Sequence, residues 1–90
     1  MSNTVIIRHR VADFDTWRAG YDQHAAARAA HGLSGESIHR DLDDASMVTV
    51  LATASDVDKV RAFFADPGLR EAMGKAGVVS QPDLWLTADA

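Results

Sequence analysis

The side chains best suited to chemistry are concentrated in residues 13 to 32, which read DFDTWRAGYDQHAAARAAHG. Trp17, Tyr21, His24 and Arg28 recur there at spacings of three and four residues. Residues at such spacings share one face of a helix. A face that combines aromatic rings with cationic groups either packs in a core or lines a site for an aromatic or weakly acidic molecule. Both interpretations stay open for Trp17, Tyr21 and His24.

His9 belongs to a different pattern, the apolar series Val5, Ile7, His9 and Val11 at every second residue. A strand with this alternation turns all four side chains to one face, so we expect His9 to point towards the helix stripe. It is either a core histidine satisfied by a carbonyl or by Tyr21, or a general base with a pKa near neutrality. As a base it would remove a proton from an activated phenol or enol.

Other aromatic and charged side chains have simpler explanations. Phe14 and Ala25 are expected to pack in the core. Arg28 and His31 lie near a predicted helix end, where a positive charge is favourable whether or not a ligand binds. Trp85, near the C-terminus, is predicted to line the mouth of a pocket or the seam of a dimer.

Composition and motifs exclude several kinds of site. The chain has no cysteine, which removes disulfides, thiolate metal sites and thiol nucleophiles. His24 and His31 are two helical turns apart, roughly 10 Å, and no His-Glu-x-x-His pattern occurs, so no metal site is expected. Nine Lys and Arg against thirteen Asp and Glu leave no basic surface for nucleic acid. No phosphate loop or dinucleotide fingerprint occurs, and no cofactor is expected.

Length and hydropathy bound the class of protein. A chain of 90 residues forms one domain, residues 1–90, and its 47% hydrophobic and 24% charged composition is typical of globular proteins. No apolar run approaches the roughly 20 residues needed to cross a membrane. The N-terminus MSNTVIIRHR lacks the order of a secretory signal. We therefore expect a cytoplasmic protein without a membrane partner.

The elements that must position these residues follow the order β-α-β-β-α-β. The predicted elements are a strand over 4–11, a helix from 14 to the glycine at 32, strands over 33–42 and 46–53, a helix from 57 that restarts after 66, and a strand over 78–87. Asp13 and Asp66 are predicted helix N-caps, and Ser55 is predicted to cap the second helix in a shortened capping box. Pro82 indicates a sheet edge or a bulge in the last strand.

This order is that of the ferredoxin-like α+β fold, a four-stranded antiparallel sheet with two helices on one face. The helices can cover only one face of the sheet. In the third predicted strand, however, the face carrying Met47, Thr49 and Leu51 is not polar. A second copy packed on this face would remove it from water, which predicts a homodimer. The alternative is a monomer with a partly apolar open sheet.

Three stretches, HRVADFDTWRAGYDQH, HRDLDDASMVTV and RAFFADPGLREAMGKAGVVSQPDLWL, resemble small members of the dimeric α+β barrel superfamily, which includes the antibiotic-biosynthesis-monooxygenase-like proteins. The resemblance spans nearly the whole chain. It implies a homodimer whose sheets face each other as a barrel, with a ligand cavity in each subunit. Known activities include cofactor-independent oxygenation of aromatic polyketides, haem degradation and lactone isomerisation. Oxygenases of this group commonly line the cavity with a tryptophan and an asparagine; Trp17 could be the tryptophan, and the only asparagine is Asn3.

These interpretations predict a small homodimeric protein with a cavity for a small aromatic or enolisable molecule, acting as a cofactor-independent monooxygenase-like or isomerase-like enzyme. The predicted site residues are His9, Trp17 and Tyr21 as catalytic groups and His24, Arg28 and Trp85 as substrate-binding groups. The alternative is a non-catalytic dimeric binding or interaction module. A fully packed layer between helices and sheet would favour the module, and a pocket of roughly 300 Å³ or more would favour the enzyme.

Overall fold

A computed structural model describes residues 2–90 and contains one antiparallel sheet with helices on one face. In chain order the elements are β1 Asn3–Arg10, α1 Phe14–Gln23, α2 Ala25–Ala30, β2 Leu33–Arg40, β3 Met47–Ala54, α3 Val57–Ala65, α4 Pro67–Lys75 and β4 Asp83–Ala88. The strands lie in the order β2-β3-β1-β4. This architecture confirms the predicted ferredoxin-like α+β fold.

β1 forms the centre of the sheet because it pairs with β3 on one side and with β4 on the other. Its side chains alternate as predicted. Val5, Ile7 and His9 are buried beneath the helices, whereas Ile6 and Arg8 are only half-buried on the opposite face. We call this opposite side of the sheet the open face. The core lies entirely on the helix side, where apolar strand residues meet the helices.

Two of the three predicted helix caps are confirmed. The Asp13 carboxylate accepts from the Thr16 amide, and Asp66 caps α4. The prediction for Ser55 is wrong, because Asp56 is one residue closer to α3 and accepts from its first amides. The Ser55 hydroxyl instead donates to a backbone carbonyl. Within residues 2–90, none of the helices is long and apolar enough to cross a membrane.

The predicted first helix is two helices, α1 and α2, separated at His24. Its ring nitrogen Nδ1 lies 3.2 Å from the Gly20 carbonyl oxygen, which the His24 amide would engage in a continuous helix. The amide contacts the Tyr21 carbonyl instead, at 3.1 Å. This interruption changes the helical phase, so Ala25 is exposed, contrary to prediction, and Ala27 packs on the core.

The last strand is shorter than predicted, since β4 begins at Asp83, directly after Pro82. Proline has no amide hydrogen for the ladder, and β4 is an edge strand, where this is tolerated. Val78, the first residue of the predicted strand, forms only an isolated bridge with Val11. The segment between them is irregular.

α1 and α4 approach each other closely at Gly20. A Cβ atom at this position would lie 2.9 Å from Cβ of Ala76, closer than side-chain carbons approach in proteins. Gly74, near the end of α4, has open space around the position of its missing Cβ. Glycine at position 20 therefore lets the two helices close over the sheet.

We expect Gly20→Ala and Gly74→Ala to change stability differently. Alanine normally stabilises a helix interior by about 0.5–1 kcal/mol relative to glycine, so Gly74→Ala should raise the free energy of unfolding by up to this amount. Gly20→Ala should leave the free energy of unfolding unchanged or lower it, because its methyl group must separate α1 from α4. Urea unfolding of both variants measures the difference, and an equal gain would contradict the close contact.

Candidate functional site

A cavity of about 90 Å³ lies between the helices and the sheet. Its lining includes five of the six predicted site residues, His9, Trp17, Tyr21, His24 and Arg28, together with Glu36 and apolar side chains from β1, β3, α3 and α4. This volume meets neither criterion given above. The layer between helices and sheet is not fully packed, whereas full packing was expected for a non-catalytic module, and the cavity is well below the roughly 300 Å³ expected for an enzyme. It has room for several water molecules, and a single ring is the largest ligand that we expect it to accept without movement.

His9 forms the polar group on the sheet side of the cavity. Only 2% of the residue is exposed, and its ring meets Trp17 edge-on with centroids 5.6 Å apart. Burial lowers the pKa of His9, and the interaction of the ring with the backbone of the same residue offsets this only in part. The imidazole is therefore neutral near pH 7.

Nδ1 of His9 is buried without a hydrogen-bond partner among the described residues. A buried polar atom left unpaired costs about 1–3 kcal/mol. This nitrogen has almost no accessible surface, so a ligand in the cavity would meet the rest of the imidazole ring. A neutral imidazole on a cavity wall can accept a proton from a ligand.

Trp17 and Tyr21 form the aromatic wall supplied by α1. Trp17 is 3% exposed, and the two ring centroids are 5.0 Å apart. Phe14 lies against the other side of Trp17, with centroids 5.7 Å apart, and is partly buried in the core as predicted. Such rings favour a flat apolar ligand.

A cluster of three polar side chains lines the cavity where α1 and α2 meet β2. The Arg28 guanidinium lies 3.5 Å from the centroid of the Tyr21 ring. Arg28 Nε donates to Oε2 of Glu36 at 3.2 Å, and the Tyr21 hydroxyl donates to the same oxygen at 3.0 Å. Burial raises the pKa of Tyr21 to about 12, so this phenol stays neutral. We call these residues the Tyr21–Arg28–Glu36 cluster.

Glu36 was not predicted as a site residue, because a regular β2 strand would turn Leu33 and Glu36 to opposite faces. A bulge between Ser34 and Ser37 inserts one extra residue opposite β3, and Gly35 adopts a φ of +59° there. Leu33 and Glu36 consequently both face the helices. The glycine within the strand-like stretch LSGESIHR was the available signal for this bulge.

Several side chains named from the sequence lie elsewhere. Trp85 is 47% exposed on the open face beside Ile6 and is not part of the cavity lining. His31 stacks on Phe63 with ring centroids 4.5 Å apart, a packing role. Asn3 is at the beginning of β1, outside the cavity lining. The asparagine that the resemblance implies is therefore not supplied by this chain's only asparagine.

The four histidines are dispersed. His39 is on β2 in a position that faces away from the helices, with Nε2 2.9 Å from the Ser37 hydroxyl oxygen, so it lies across the sheet from His9. Within residues 2–90, no group of three or more His, Cys, Asp or Glu side chains could hold a metal ion.

Comparisons of sequence identify no matching family model and no matching curated protein. Comparisons of structure find proteins with a similar fold. A candidate antibiotic biosynthesis monooxygenase from Bordetella bronchiseptica has a TM-score of 0.78 at 17% identity, covering 99% of this chain and 97% of the other. SnoaB, a cofactor-independent oxygenase from Streptomyces nogalater, has a TM-score of 0.70 at 20% identity, covering 99% and 95%.

A third similar structure is the monooxygenase ActVA-Orf6 of Streptomyces coelicolor in complex with nanaomycin D. It has a TM-score of 0.65 at 19% identity and covers 99% of this chain and 88% of the other. At such identities the likeness establishes the fold and not the activity. The chain thus has the ferredoxin-like α+β fold of the antibiotic-biosynthesis-monooxygenase-like proteins, as the sequence resemblance indicated.

Proposed function

We propose that this protein is a homodimeric, cofactor-independent monooxygenase-like enzyme that acts on a single-ring phenolic or enolisable molecule in the cavity between helices and sheet. The observation that carries the proposal is His9, a neutral imidazole among the mainly apolar side chains that line the cavity. The similar folds of SnoaB, a cofactor-independent oxygenase, and of ActVA-Orf6, solved with nanaomycin D, support it as analogies.

In the proposed reaction, His9 accepts a proton from a CH₂ group next to a carbonyl, leaving an enolate. The imidazolium that forms on His9 offsets the negative charge of the enolate. The enolate transfers an electron to O₂, the two radicals combine, and the proton returns to give a hydroperoxide. Loss of water from the hydroperoxide leaves a new carbonyl, so one oxygen atom enters the product and the other enters water.

The open face supports the homodimer. Cross-strand pairing places Ile6, Leu51 and Trp85 in one row across three strands. Such a row leaves apolar surface in water on an isolated subunit, and the same row of a second copy can cover it across a two-fold axis. Arg8 and Asp41, paired at 2.7 Å beside this row, provide a polar border.

His9→Gln should abolish proton abstraction. Cyclohexanone is a suitable single-ring probe, and deuterium exchange at its α-carbon can be followed by proton NMR in D₂O. We expect the wild-type protein to accelerate the exchange and His9→Gln to reduce this rate by about 100-fold or more, the usual contribution of a general base. His39→Gln, a histidine across the sheet, is the matched control and should retain the rate. Equal rates for wild type and His9→Gln would refute the catalytic role.

Burial of neutral His9 should also make stability depend on pH. In the unfolded chain this histidine binds a proton with a pKa near 6.5, whereas burial lowers the pKa in the folded protein. The unfolded state therefore binds more protons below this value, and stability falls as the pH falls. We expect the Tm to drop between pH 7.5 and pH 5.5, and His9→Phe to reduce this drop. An unchanged drop would mean that His9 is not the responsible group.

Leu51→Glu should convert the dimer to monomers, because it places a charge in the centre of the apolar row. Leu42→Glu provides the control, since Leu42 is fully exposed in the β2–β3 hairpin. Light scattering after gel filtration at micromolar concentration distinguishes the two states. A monomeric wild-type protein, or a dimeric Leu51→Glu variant, would contradict the proposed interface.

A further inference from the structure

We infer that the Glu36 side chain occupies an anion-binding site formed by Arg28 and Tyr21. The cavity therefore selects neutral hydroxyl-bearing molecules over carboxylates. The inference rests on the proposed ligand-binding function of the cavity. It makes Glu36 the residue that determines the charge of the accepted ligand.

The hydrogen bonds of the cluster have the geometry of a carboxylate-binding site. Oε2 of Glu36 accepts from both Arg28 Nε and the Tyr21 hydroxyl, at 3.2 and 3.0 Å. Two donors that converge on one oxygen, one of them charged, are the usual means of binding an anionic oxygen. A ligand carboxylate placed in the cavity would need these same donors. Glu36 therefore competes with any anionic ligand from within the chain.

Partial burial strengthens the competition. The side chains of Arg28 and Glu36 are 10% and 23% exposed, so solvent screens their ion pair less than that of a surface pair, whereas the hydrogen bond from Tyr21 to Glu36 is exposed. The charges of Arg28 and Glu36 cancel, which leaves no net charge in the cluster. A bound carboxylate would add a second negative charge beside Glu36 in a partly desolvated place. A neutral phenol brings no such charge and can donate its own hydrogen to the Glu36 carboxylate.

The backbone is arranged specifically to bring Glu36 to this place. Leu33 belongs to the buried core, and without the bulge at Gly35 either Leu33 or Glu36 would point to the open face. Gly35 adopts a positive φ that other residues rarely adopt. The carboxylate consequently enters the cavity without loss of a core side chain.

Binding of two single-ring probes tests the inference. Phenol is neutral at pH 7 and benzoate is anionic, and both can be titrated while the indole N–H signal of Trp17 is followed by NMR. We expect wild-type protein to prefer phenol to benzoate by about tenfold or more, the scale of one charge-assisted hydrogen bond. Glu36→Gln keeps the shape and removes the charge, so benzoate affinity should rise by about tenfold, whereas phenol affinity should not rise, because an amide oxygen accepts a hydrogen bond more weakly than a carboxylate.

The double variant Arg28→Gln/Glu36→Gln is the matched control, because it lacks the cation and should lose the gain for benzoate. If Glu36→Gln still binds phenol but gains nothing for benzoate, the inference is wrong while the proposed cavity function stands. If no form binds phenol, the proposed function itself is wrong, and the inference fails with it.

Removal of Glu36 leaves Arg28 without its charged partner, which can prevent folding. In that case refolding is the readout, using Glu36→Gln and also Glu36→Ala, which leaves space for a ligand carboxylate. Recovery of the far-ultraviolet circular dichroism signal with sodium benzoate, but not with sodium chloride at equal ionic strength, supports the inference. Failure of benzoate to restore either variant overturns it.

Discussion

Contact between Trp17 and the groups on either side of it determines the arrangement of the candidate site. The indole ring meets His9 at 5.6 Å and Tyr21 at 5.0 Å, and Tyr21 in turn carries the Arg28 guanidinium at 3.5 Å. His9 on the sheet and the Tyr21–Arg28–Glu36 cluster at the helix junction are thus held in one continuous series of contacting groups. A smaller side chain at position 17 would remove the wall against which both are fixed.

The elements and much of the site could be predicted from the sequence because the relevant signals are local. Alternation in β1 placed His9 beneath the helices, and helical spacing brought Trp17 and Tyr21 to the same side. The caps at Asp13 and Asp66 required only the residue type and its position before an apolar pattern. In each case, a short stretch of chain contains the information that decides the outcome.

The features that could not be predicted from the sequence depend on local interactions that residue spacing does not encode. The first helix is interrupted at His24, where the ring lies next to the Gly20 carbonyl while the amide donates to the Tyr21 carbonyl. Glu36 reaches the cavity because one extra residue in β2 reverses the alternation. Small local departures from regular geometry therefore decide which polar groups enter the site.

The two tryptophans lie on opposite sides of the sheet, one enclosed in the cavity and the other half-exposed on the open face. Indole emission depends on the polarity and quenching groups of its immediate surroundings. The intrinsic fluorescence of this chain consequently contains two separate optical signals, one sensitive to the contents of the cavity and one sensitive to coverage of the sheet. With Trp85→Phe or Trp17→Phe, each signal can be recorded alone, so changes on the two sides of the sheet can be followed separately in solution without an attached dye.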